Sequence, residues 1–173
     1  MTKVFLPLAL SIVTVAAAAA LKFDAPTGWV SKTPSSSMRL ADFTLPKVAN
    51  DPEDGTLTVY YFGNQGGSVQ ANIDRWIGQL TQPDGRASKD VAKTTTLESK
   101  SGLKITLLDV SGTYVAEVTP GSAERFNKPG FRQLAAVVDT PNGPHFVKVV
   151  GPLATVAKWE AAVMSFLKSL RWE

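Results

Sequence analysis

Two stretches of this chain alternate like strands yet keep no purely polar side, and few folds accept such strands. Met38 to Leu45 places Arg39, Ala41, Phe43 and Leu45 on one face and Met38 and Leu40 on the other. Leu57 to Phe62 sets Leu57, Val59 and Tyr61 opposite Thr58, Tyr60 and Phe62. Successive strand side chains point to opposite faces of a sheet. A strand that is apolar on both faces therefore belongs to a sheet covered on both sides. The covers are legible at helical spacing. From an N-cap at Ser68, Val69, Ile73, Trp76, Ile77 and Leu80 share one arc, and Gln82 to Gly85 ends the segment. From a cap at Thr155 to Leu170, the residues Val156, Trp159, Val163, Phe166, Leu167 and Leu170 share another. Further strands are expected at Gly28–Ser31, Lys93–Ser99, Lys104–Ser111 and Thr113–Val118. A hairpin of Phe131–Asp139 and His145–Val150 turns at Pro141 to Pro144. Thr119 to Gly130, with two prolines and two glycines, reads as an exposed loop. The expected fold is α+β: a mostly antiparallel sheet of six to eight strands with two amphipathic helices packed on it, an α/β/α sandwich.

Residues 1–20 differ from the rest. Lys3 precedes an apolar run from Val4, and Ala16 to Ala20 offer several small-x-small cleavage positions. This is the layout of a secretory signal peptide cleaved near Ala18 or Ala20, followed by one globular domain over 21–173. As a membrane anchor the run is short, alanine-rich and weakly apolar. A periplasmic or secreted protein is expected, without stable membrane insertion after cleavage. The chain has no cysteine and a single histidine, so disulfides, thiol chemistry, Cys-based zinc sites and His clusters are excluded. A net charge of +3 is too small to argue for nucleic acid as a partner.

His145 is the one imidazole, and it is expected as a partly exposed hairpin residue without the orienting partner that nucleophilic catalysis requires. Asp51, Glu53 and Asp54 form an acidic turn, but aligning Gly55 with the sixth position of a calcium loop puts Pro52 and Tyr61 where ligands belong. Gly63 to Ser68 joins a strand to a helix, yet lacks the spacing of a phosphate loop or a dinucleotide fingerprint. No metal and no cofactor are expected.

A polar row on the first helix is the better lead. Ser68, Asn72, Arg75 and Gln79 recur at i, i+4, i+7 and i+11, flanking the apolar arc. Amide and guanidinium groups without an acidic member suit a carboxylate, a phosphate or a peptide backbone; hydrogen bonding to neighbouring loops is the structural alternative. Two strand charges raise a related question. Asp109 shares the face of Ile105 and Leu107, and Lys148 that of Phe146 and Val150, so each is expected to be partly buried and to need a partner. A buried Asp109–Lys148 pair is one solution, and pairs with Arg39 or Arg75 are others.

The segment Phe23-Asp24-Ala25-Pro26-Thr27-Gly28-Trp29 is similar to the hydrophobic-x-x-Pro-x-Gly-Trp opening of PsbP-like domains. The element order, ending in Phe166-Leu167-Lys168-Ser169-Leu170, resembles the same α/β/α sandwich. Tyr61 to Gln79 also resembles a group of exported bacterial proteins of unassigned activity. The PsbP-like resemblance implies an accessory or assembly role by protein contact, sometimes with ions or small ligands, rather than catalysis. No functional residue transfers by position, and fold alone does not give function. The expectation is an exported, non-enzymatic binding or accessory protein. Its contact surface would be Ser68, Asn72, Arg75 and Gln79 with Arg39 nearby, and its partner a protein or a small anionic ligand. The alternative is a hydrolase or lyase in which Asp109 acts as base with Arg75 and Lys148.

Overall fold

The computed structural model describes residues 19–173, so nearly all of the expected leader lies outside the described residues. The chain runs β1 (Leu21–Lys22), β2 (Val30–Lys32), β3 (Arg39–Leu45), β4 (Gly55–Tyr61), α1 (Val69–Ile77) and β5 (Leu80–Thr81). It continues with β6 (Lys93–Glu98), β7 (Lys104–Tyr114), β8 (Lys128–Val138), β9 (His145–Pro152), α2 (Leu153–Ser169) and β10 (Arg171–Trp172). Eight strands form one sheet in the order β2-β3-β4-β9-β8-β7-β5, with β6 also paired to β7; β1 and β10 form a separate two-stranded ribbon. Every pairing is antiparallel. The α+β sandwich expected from the strand pattern is the fold observed.

The two helices cover the two faces unequally. On one face α2 lays Val156, Val163, Phe166 and Leu167 over Phe43, Leu45, Leu57, Val59, Val147 and Val149. The opening segment lies across this layer, with the Phe23 ring 5.1 Å and the Trp29 ring 5.5 Å from that of Phe166. Gly28 takes φ +91°, and a Cβ there would stand 2.8 Å from the Trp159 ring, so only glycine allows this approach. On the other face the shorter α1 sets Ile73 and Trp76 on Leu108, Val110, Ala135, Val137 and Phe146. It covers the β7–β8 side of the sheet and the start of β9 at Phe146, and leaves β3, β4 and the rest of β9 open on that face.

Several boundaries differ from expectation. Leu80 belongs to β5 rather than to the first helix, which ends at Ile77 with Gly78 as its C-cap. Lys104 to Tyr114 is a single strand, because a register shift at Gly112, rather than a chain reversal, carries it past the expected break. Strand β8 begins at Lys128, inside the expected loop. Thr155 does not cap α2 but lies within its first turn, and the cap is supplied from a distance: Asp51 Oδ2 accepts Thr155 N–H at 2.8 Å and the Thr155 hydroxyl at 2.5 Å. The acidic turn thus has structural uses, since Asp54 accepts Lys47 N–H and Glu53 accepts from Lys128. Asp51→Ala is expected to cost about 1–2 kcal/mol, a carboxylate cap on an otherwise uncapped helix start. A lowered urea midpoint with unchanged slope checks it.

His145 is buried at 3% exposure, not partly exposed as expected. Its ring stacks on Tyr61 at 4.4 Å, and Trp172 of the terminal ribbon closes over it at 5.8 Å. Burial holds its pKa below the usual imidazole value, with the Gly143 carbonyl pulling the other way. Among the described residues no helix is long and apolar enough to cross a membrane.

Candidate functional site

The part of the sheet that α1 leaves open forms a groove of about 1290 Å³. Asp42 and Thr44 of β3, Thr56, Thr58 and Tyr60 of β4, and Lys148 and Val150 of β9 supply its floor. The end of α1 forms one wall with Arg75 and Gln79, and the segment from Tyr114 to Lys128 forms another. Register explains why polar groups gather here. Thr58 sits opposite Asp42 on one side and opposite Lys148 on the other, so three polar side chains run across neighbouring strands in one line.

Lys148 is the centre of the groove. Its Nζ donates to Gln79 Oε1 at 2.6 Å and to Tyr114 OH at 3.1 Å, and it stands 5.3 Å from the centroid of the Tyr114 ring. Both hydrogen-bond partners are neutral. Burial is the main force pushing the Lys148 pKa down to about 7, and the Arg75 and Arg39 charges add to it. Burial likewise pushes Tyr114 up to about 12, so its phenol keeps its proton at neutral pH.

The expected Asp109–Lys148 pair does not form, because the two residues stand on opposite faces of the sheet. Lys148 shares the strand face of Phe146, which packs under α1, whereas Asp109 pairs across the strands with Leu134, which packs under α2. Asp109 instead accepts two bonds from Arg132, at 2.8 and 2.7 Å, and the same guanidinium donates to Glu160 of α2 at 2.7 Å. These hydrogen bonds hold the Arg132 pKa above the ordinary arginine value. The triad ties α2 to the sheet. A hydrolase or lyase built on Asp109 with Arg75 and Lys148 therefore has no shared cleft.

The polar row of α1 divides in two. Ser68 Oγ accepts the Ala71 N–H as the helix cap, and Asn72 is buried, donating to the Gly66 and Ser68 carbonyls and accepting from Arg75 Nη2 at 2.6 Å. These two hold the turn before the helix. Arg75, exposed, and Gln79 reach the groove. Arg39 also reaches it, although alternation assigns it to the face of Ala41 and Phe43. A register shift between Arg39 and Ala41 turns it to the other side, where Nη1 donates to Asp42 Oδ1 at 2.9 Å. Tyr114, Thr58 and Asp42 are groove residues that the sequence pattern does not single out.

The charges of the groove are unequally matched. Arg39 is paired with Asp42, Lys128 with Glu53 and Arg125 with Glu117. Among the described residues, Arg75 and Lys148 have no carboxylate partner. Among the same residues, Lys32 also lines the groove without a carboxylate partner and Asp54 without a cation, so six Lys and Arg side chains face four Asp and Glu and the lining keeps an excess of positive charge.

No family model matches the chain, and no curated protein matches it. Solved structures do. A Pseudomonas aeruginosa protein of unknown function is similar at 12% identity and a TM-score of 0.46, covering 83% of this chain and 96% of its own. The solution structure of cyanobacterial PsbP from Synechocystis sp. PCC 6803 is similar at 11% identity and a TM-score of 0.49, covering 96% of this chain and 99% of its own. The resemblance to PsbP-like domains and to bacterial proteins of unassigned activity is thus found again among solved structures, as a likeness of chain path alone.

Proposed function

We propose that this is an exported binding protein whose groove holds a small anionic ligand on Lys148 and Arg75. One observation carries the reading: a largely buried lysine amine on the groove floor has neutral hydrogen-bond partners and two guanidinium neighbours, but no carboxylate bonded to it. A buried cation without a counter-charge is costly unless something neutralises it. A carboxylate or phosphate entering the groove would do so and accept hydrogen bonds from both side chains. Export rests on the leader pattern, and the intact mass of the protein recovered from periplasm checks it, with cleavage expected near Ala18 or Ala20.

The groove reading is tested by titration calorimetry with succinate and with inorganic phosphate. Binding of at least one is expected, weakening as salt rises. Lys148→Met should reduce affinity about a hundredfold, since it removes a largely desolvated charge contact. Arg75→Gln should reduce it less, because that side chain is exposed. Failure of both anions to bind at millimolar concentration, or equal binding by Lys148→Met, would sink the reading.

A further inference from the structure

Electrostatics alone does not explain why the groove centres on an amine. An anion site gains most from a group that is charged before the ligand arrives, and a second arginine would serve. Lys148 is placed where charging is opposed: Phe146 and Val150 lie beside it on the same strand face, Tyr114 lies against it, and the Arg75 and Arg39 charges bear on it. Desolvation and a neighbouring cation are the two conditions that turn a lysine into a nucleophile. With its pKa near 7, a large share of Lys148 is free amine at neutral pH, against about one in three thousand for an ordinary lysine. The groove gives that amine an open approach, and Tyr114 OH stands 3.1 Å away as a phenol able to pass a proton.

We infer that Lys148 condenses reversibly with the aldehyde or keto group of a small oxo acid whose carboxylate is held by Arg75. This rests on the anionic reading of the same groove. Nζ adds to the carbonyl carbon, forming a C–N bond while the carbonyl oxygen becomes a hydroxyl by taking one amine hydrogen. Tyr114 protonates that hydroxyl and recovers the second amine hydrogen as the C–O bond breaks. One water leaves, the C=N bond remains, and nothing is oxidised or reduced. Tyr114 stays protonated at neutral pH and so holds the proton this step needs, 3.1 Å from the amine.

The test treats the mature protein with glyoxylate and cyanoborohydride at pH 7 and locates the reduced adduct by peptide mass mapping. Lys148 should be labelled at least about tenfold faster than the exposed Lys158 and Lys168, given its larger share of free amine. Tyr114→Phe should slow labelling while keeping the ring. Arg75→Gln should slow labelling by glyoxylate several-fold more than labelling by propanal, which has no carboxylate and loses only the effect of the Arg75 charge on the amine. Labelling of Lys148 no faster than of the two exposed lysines overturns the inference. If succinate or phosphate still binds in that case, the anion site stands and only the condensation falls; if neither binds, both readings fall.

Discussion

Replacing Phe166 with alanine is expected to lower the unfolding free energy by about 3–5 kcal/mol, the range for deleting a fully buried aromatic side chain. Phe166 has no exposed surface, and its ring meets those of Phe23, Trp29 and Phe43. Three parts of the chain converge on it: the opening segment, β3 and α2. The layer cannot readily collapse into the space left behind, because Gly28 is held against Trp159 and the Trp159 indole donates to the Pro46 carbonyl at 2.9 Å. A typical domain has only about 5–15 kcal/mol in total, so this single change removes much of the stability. Urea denaturation checks it, and Trp29 should give a red-shifted emission as its cover opens. A loss below about 1 kcal/mol would mean that the opening segment is not docked on α2.

The layer around Phe166 is also the most legible part of the sequence. Period 3.6 alone places Val156, Trp159, Val163, Phe166, Leu167 and Leu170 on one side of the last helical segment; five are buried and Trp159 is partly buried against the same core. Strand alternation likewise places Phe43, Leu45, Leu57 and Val59 in the core. Local periodicity reports local geometry, and these residues need nothing more. Arg39 fails the same test because a single register shift in β3 reverses the alternation, and nothing in the residues around it marks the shift. Asn72 belongs by spacing to the polar row, but its amide is drawn in by the Gly66 and Ser68 carbonyls of the turn before α1. Asp109 and Lys148 each read correctly as strand charges with apolar neighbours. Their separate partners are not legible, because strands β7 and β9 are separated by β8, and sequence pattern does not say which of two covered faces each charge joins. For the same reason Tyr114, Thr58 and Asp42 carry no signal of their own; only the fold brings them around Lys148.

That placement makes the stability of Lys148→Met depend on pH in a definite direction. The folded-state pKa of about 7 lies below the ordinary lysine value of 10.5, so between these values the unfolded chain binds a proton that the folded chain does not. Stability therefore rises with pH across this window, and below pH 7 the full penalty of charging the buried amine stands. The displacement corresponds to at most roughly 5 kcal/mol. Methionine has a similar length and no charge, and it leaves the Gln79 and Tyr114 side chains facing a groove that water can enter. Lys148→Met is thus expected to be more stable than the natural protein by roughly 2–4 kcal/mol at pH 6. The advantage should shrink above pH 7 and vanish near pH 10.5. Urea midpoints of both proteins at pH 6, 8 and 10 measure it, and a variant no more stable at pH 6 would contradict the burial of an uncompensated charge. A lysine that costs this much in the empty groove is stabilised by whatever supplies the missing counter-charge. Bound succinate or phosphate should therefore raise the melting temperature of the natural protein most at low pH, and leave that of Lys148→Met nearly unmoved.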